Sequence, residues 1–175
     1  MFNDIHIIGC GTIGSNLSIN LANHDYTKEL HLYDFDIVDY ESNNYIFPFN
    51  KRCCGLLKTD VIKSYIDSTS DIIVHSHNVR ISKPIVGEMI IDCRDKKEDI
   101  INSNLKISLD GNVLILDNTK DCGNFDFPRY CVYKDPTYII LSMAIIMNFI
   151  KLGLQKNQKL MYDLDNMFTD YFIIS

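Results

Sequence analysis

The chain opens on a short apolar run, Ile5 to Ile8, that breaks into Gly9-Cys10-Gly11-Thr12-Ile13-Gly14 and continues as a helical stretch through Asn23. A second strand-like run, Glu29 to Tyr33, ends in Asp34. From Asp34 to Asn50 the sequence is polar and irregular, rich in Asp, Asn and Tyr, and helical periodicity resumes from Leu56 to Ile66. Extended runs at Ile72 to His75 and Glu88 to Asp92 come next, then a helix over Lys97 to Leu105, a strand at Val113 to Leu116 and an extended run at Tyr130 to Tyr133. Asp135-Pro136-Thr137 is a helix start signal, and the apolar helix it opens runs to about Leu154, where Gly153 and the polar segment from Gln155 to Lys159 loosen the chain. Leu160 to Ser175 fits either an amphipathic helix or a final strand, packed on its own domain. Strands alternating with helices predict an α/β fold, a Rossmann-like, doubly wound and mostly parallel sheet. The 175 residues form one domain, 1–175, with 155–175 as a C-terminal extension.

Composition narrows the class. A formal charge of -6 without a basic cluster excludes a phosphate-backbone groove, so nucleic acid is not an expected partner. The most apolar stretch, Tyr138 to Ile150, contains Ser142 and Asn148 and is too short to cross a bilayer. No secretory signal follows Met1, and the six cysteines show no CxxC pair, so the expectation is a cytoplasmic protein with reduced thiols and no membrane contact. Adjacent Cys53 and Cys54 cannot supply a zinc tetrad, and no zinc is expected. His75 and His77 fall on one face of a strand end, where, with no third ligand evident, they read as solvent-facing or structural side chains.

The glycine segment carries the first candidate chemistry. Gly9, Gly11 and Gly14 permit a tight turn, close backbone approach to a phosphate, and close packing of the helix on the sheet. With Thr12 and Ile13 they put the unpaired N–H groups and positive dipole end of a helix against an anion, with no Lys or Arg in the loop. Asp34 falls about twenty residues after the last glycine, the distance at which a Rossmann acid meets a ribose hydroxyl. These features suit ATP and NAD alike.

Gly-Cys-Gly-Thr-Ile-Gly, then Asp34-Phe35-Asp36-Ile37-Val38-Asp39, then Gly55-Leu56-Leu57-Lys58, then Asp92-Cys93-Arg94-Asp95, in that order, resemble the ubiquitin-activating enzyme superfamily of ThiF/MoeB adenylyltransferases over roughly Ile5 to Leu154. The resemblance implies ATP-dependent adenylation of the C-terminal carboxylate of a small ubiquitin-like or sulfur-carrier protein by a homodimer. It makes Asp34 the ribose acid, Asp36 the second acid of the DxD pair, Lys58 the lysine that reaches the ATP phosphates, and Asp95 the aspartate that handles Mg2+. The family's Asn-Leu-x-Arg segment falls near Asn43 and Asn44, which keep the amide role. Tyr45, or Ile46 in a register shifted by one, stands where the arginine is expected, and Lys51 or Arg52 is the displaced source of positive charge. With strand one at the start of the chain, the arginine-bearing N-terminal helix of family dimers is expected to be missing. Cys122 is the candidate for a cysteine that accepts the activated carboxyl, and Cys131, in an extended run, is expected to be buried. Two further readings stand beside this one: a catalytically weak nucleotide-binding scaffold or regulatory subunit, and an NAD-dependent oxidoreductase.

Overall fold

The computed structural model describes residues 1–39, 46–94, 102–110, 112–118, 136–152, 158–165 and 172–174. β1 (Phe2–Ile8), α1 (Thr12–Asn23) and β2 (Thr27–Tyr33) form the opening unit, followed by α2 (Lys58–Asp67) and β3 (Ile73–His77). β4 (Met89–Asp92), β5 (Leu105–Asp110), β6 (Val113–Asp117), α3 (Pro136–Leu152), β7 (Lys159–Asp163) and β8 (Phe172–Ile174) complete the described elements. The strands make one sheet in the order β3-β2-β1-β4-β5-β6-β7-β8. Pairing is parallel from β3 to β5 and antiparallel from β5 to β8. The fold is thus α/β and Rossmann-like, with strand order reversing between β1 and β4.

Alternation along the central strands decides what each sheet face carries. Ile5 and Ile7 of β1, Leu30 and Leu32 of β2, Val74 of β3 and Met89 and Ile91 of β4 point into the main core. There they meet Leu17 and Leu21 of α1, Val61, Ile62 and Ile66 of α2, and Met143, Ile146 and Ile150 of α3. All three described helices therefore share one face of the sheet, and each fully buried aliphatic side chain contributes roughly 1.5–3 kcal/mol. Met143, Ile146 and Ile150 are spaced for one side of α3, while Ile140 on its other side is 68% exposed. On the opposite sheet face a small cluster of Ile8 and Ile90 packs under Ile81 and Ile85 from the segment before β4.

One expectation is corrected. The helix over Lys97 to Leu105 does not reach its expected end: residues 102–104 are not helical, and Leu105 opens β5, fully buried beside Ile91. Pairing with β4 recruits the apolar alternation of Leu105, Ile107 and Leu109 into the sheet, overriding local helical periodicity; residues 97–101 lie outside the described ones. Of the two readings left open for Leu160 to Ser175, the described residues take the strand: β7 and β8 extend the sheet beyond β6, and residues 166–171 lie outside the described ones. The run expected at Tyr130 to Tyr133 lies outside the described residues.

Candidate functional site

Register brings three strand ends level. Ile8 pairs with Tyr33 on one side and with Asp92 on the other, so Gly9, Asp34 and Cys93 leave the sheet side by side at its carboxyl edge. This is the strand-order reversal, where open α/β sheets bind ligands.

Gly9 takes φ +89, and a Cβ there would lie 2.9 Å from Arg94 Cγ. Gly14 sits against the turn itself, and a Cβ on it would come within 1.8 Å of the Gly9 carbonyl oxygen. Gly11 differs, because nothing among the described residues lies within 4 Å of its Cβ position. Gly11 is also the N-cap of α1, with no side-chain cap and no acidic residue in the first turn. Thr12, the first helical residue, is buried with a hydroxyl that has no hydrogen-bond partner among the described residues. A buried hydroxyl and open helix N–H groups at the mouth of a glycine turn match what a phosphate oxygen requires.

Asp34 braces the turn. Its Oδ2 accepts from the Cys10 N–H at 2.7 Å and its Oδ1 accepts from the Asp36 N–H at 2.9 Å. An ionised carboxylate retains further lone pairs beyond these two bonds, so it can still receive a ribose hydroxyl.

Lys58 arrives from a distant segment through backbone pairing. Ile37 and Leu57 form an antiparallel bridge, Val38 exchanges hydrogen bonds with Gly55 and Leu56, and the Lys58 N–H donates to the Asp36 carbonyl at 3.0 Å. The clip stations Lys58 at the start of α2, largely buried, with Nζ 3.1 Å from Asp36 Oδ2. Gly55, at φ +83, permits the turn that sets this up.

Arg94 is the group that sequence reasoning passed over. Its Nε and Nη2 donate to the two carboxylate oxygens of buried Asp92, each at 2.9 Å, and its stem lies over Gly9. The motif Asp92-Cys93-Arg94-Asp95 was itself visible; the missed signal was that an arginine two residues after a strand-terminal aspartate can fork back onto it.

The other expected residues divide cleanly. Asn43, Asn44, Tyr45, Asp95, Cys122 and Cys131 lie outside the described residues. Ile46 is buried in the main core, so a guanidinium is not accommodated at that register. Lys51 and Arg52 are exposed in a short 3-10 turn, Lys51–Cys53, capped by Asn50. Cys10 and Cys93 are unsuited to nucleophilic work: burial pushes both thiols well above the usual range, and the carboxylates of Asp34 and Asp92 add to the rise. No described helix is long and apolar enough to cross a membrane.

The strands leading to this edge carry a second cluster. His6, His31 and His75 face one another across β1, β2 and β3, and Tyr33 faces His77 in the next row. The rings stack, with centroids 4.4 Å apart for His6–His31, for His31–His75 and for Tyr33–His77. His75 and His77, read from the sequence as solvent-facing or structural side chains, belong to a sheet-wide ring array.

A sequence model of the ThiF family matches residues 3–139. No curated protein sequence matches the chain. Among solved structures, Escherichia coli MccB with ATP aligns at TM-score 0.73 and 15% identity, covering 99% of this chain and 63% of that one. The microcin C7 biosynthetic enzyme MccB in complex with N-formylated MccA aligns at TM-score 0.74 and 15% identity, covering 99% and 64%. Selenomethionine PaaA aligns at 0.67 and 15%, covering 98% and 62%. The chain spans less than two thirds of each of these structures, and at this identity the likeness is one of fold.

Proposed function

We propose, from the premise that this chain belongs to the ThiF family, that it binds ATP over the glycine turn and adenylates the C-terminal carboxylate of a peptide or small protein. The observation that carries the reading is the meeting of the Gly9–Gly14 turn, Asp34, Lys58 and Arg94 at the strand-order reversal, with the buried Thr12 hydroxyl left unpartnered. The peptide and protein alternatives share one chemistry, and MccB, solved with ATP and in complex with N-formylated MccA, supplies the fold-level analogy.

In the proposed reaction a carboxylate oxygen of the acceptor attacks the α-phosphorus of ATP. The bond from that phosphorus to the bridging oxygen breaks, and the products are an acyl-adenylate and pyrophosphate. No proton is transferred and no protein nucleophile is needed. The protein's part is to position and to neutralise developing charge. Helix N–H groups at Thr12 to Gly14 and the Thr12 hydroxyl hold phosphate oxygens, Asp34 receives the ribose, and Lys58 turns from Asp36 toward the phosphates. Asp36 keeps the Lys58 ammonium correctly aimed before ATP arrives. Asp95 is the residue proposed to hold magnesium, which would supply charge neutralisation at the phosphate oxygens. Homodimerisation, and a thioester on Cys122, belong to the same family-based proposal.

The deciding experiment is exchange of labelled pyrophosphate into ATP, with a panel of ubiquitin-like and sulfur-carrier proteins and of short peptides bearing free C-termini. Carboxylate-dependent exchange that is lost in Lys58→Ala supports adenylation. Magnesium-dependent ATP binding without exchange on any acceptor overturns the enzymatic reading in favour of a nucleotide-binding scaffold. Binding of NAD in preference to ATP overturns the nucleotide assignment altogether.

A further inference from the structure

The sheet face opposite the helices gathers ionisable rings that the nucleotide site does not use. β3 is the edge of the sheet, so this array opens to solvent on one side. On the other, Gly87 closes over His6, where a Cβ would come within 2.3 Å of the imidazole. Between these limits lies a cross-strand triad. One ligand atom from each of Glu29, His31 and His75 falls within 4.8 Å of the others. His75 Nε2 is 3.1 Å from Glu29 Oε2, and His31 Nε2 is 3.8 Å from the same oxygen.

We propose that Glu29, His31 and His75 form a site for one divalent ion of the zinc class, with the fourth position left to water. Ligand atoms around tetrahedral zinc stand about 3.3 Å apart, given metal–ligand lengths near 2.0–2.1 Å. The carboxylate-to-imidazole separations of 3.1 and 3.8 Å bracket that spacing, and the two imidazoles close the rest of the way by side-chain rotation. Two imidazoles and a carboxylate are the donors that borderline divalent metals select.

The surroundings favour ligation over simple packing. His31 Nδ1 lies 3.1 Å from His77 Nε2, an imidazole-to-imidazole hydrogen bond in which one ring must donate. With His31 donating from Nδ1, its Nε2 keeps a lone pair on the side where Glu29 stands, the arrangement by which outer partners fix a metal-binding tautomer. Stacking on His6 steadies His31, while the more exposed His75, stacked on it with 16° between the ring planes, turns out of the stack to bring its lone pair to the shared ion. His75, on the edge strand and 41% exposed, provides the entry path. The expectation of no zinc rested on missing cysteine pairs, which does not bear on a histidine–carboxylate set formed across strands.

The test is calorimetric titration of the whole chain with zinc, in a Cys53→Ser, Cys54→Ser background that removes the more accessible described thiols, with cobalt(II) absorption as a second readout. The expected result is one ion per chain, about 10-fold or more weaker in either His75→Ala or Glu29→Gln, since losing one of three protein ligands costs at least what losing an outer-shell partner does. Both changes lie at solvent-accessible positions, so the metal-free variants should melt as the parent does. Zinc should raise the melting temperature of the parent and not of His75→Ala. The cobalt form should show ligand-field absorption without a thiolate charge-transfer band. Zinc binding that is absent at tens of micromolar, that survives in both variants, or that carries a thiolate band in cobalt overturns the proposal. None of these readouts depends on ATP or on adenylation.

Discussion

Lys58 Nζ lies 3.1 Å from Asp36 Oδ2, although the two residues belong to different elements separated by the polar loop after β2. The pair is asymmetric: the lysine side chain is mostly buried and the aspartate is 52% exposed. A buried ammonium needs a counter-charge, whereas the exposed carboxylate can return to water when a phosphate takes its place.

Replacing Lys58 by Ala should weaken magnesium-ATP binding by about 10- to 100-fold, as expected for a charged hydrogen bond of about 1.5–3 kcal/mol. Replacing Asp36 by Asn should weaken it less, because it loosens the lysine's aim without removing its charge. Calorimetry on the two variants, with thermal melts as a control on folding, distinguishes them; equal losses would show that Asp36 contacts the ligand itself.

The glycines of the turn should separate into two classes. Gly14→Ala forces a methyl against the Gly9 carbonyl and should destabilise the fold by about 1–3 kcal/mol or more, read from urea denaturation. Gly11→Ala meets open space and should leave the denaturation midpoint unchanged. Its added methyl stands where backbone must approach phosphate, so ATP binding should fall while stability holds.

Arg94→Ala removes the forked partner of Asp92, a carboxylate that is 5% exposed. Stranding a buried charge in this way costs about 3–5 kcal/mol. Arg94→Lys should recover only part of that loss, since an ammonium cannot donate to both oxygens in one plane. Chemical denaturation at neutral pH measures both, and full recovery by lysine would show that the fork geometry is unimportant.

The histidine array predicts an acid-sensitive fold. Burial first, then the neighbouring His6, His75 and His77, lower the His31 imidazole to about 4, against the opposing pull of Glu29. His6 and His77 are lowered as well, chiefly by burial, with Asp4 opposing the shift at His6. The unfolded chain binds a proton on His31 near pH 6.5 and the folded one only near 4. Stability from the neutral ring is therefore complete above 6.5 and is lost as pH falls toward 4. Melting temperature should decline across that interval, and His31→Phe should flatten the decline.

Much of the sheet's carboxyl edge was legible because its parts are local. The apolar run ending in Gly9, the helix that follows Gly11, and Asp34 closing β2 all lie within one strand–helix–strand unit, where backbone sterics and helix polarity act over a few residues. Lys58 at a helix start was legible for the same reason. The end of the expected helix at Leu105 was misread, because partnership with β4 outweighed local periodicity there.

Sequence alone determined which residues turn, which strands carry apolar alternation and which acid closes β2, since those follow from short-range geometry. Tertiary structure alone decided that β1 lies between β2 and β4, and with that order came every long-range meeting described above. It laid Arg94 across Gly9, folded Lys58 back onto Asp36, and lined up His6, His31 and His75 in one row. Period-two alternation tells which face of a strand a histidine takes. Only strand order and register, fixed by burial of the whole sheet, tell which side chains it will meet there.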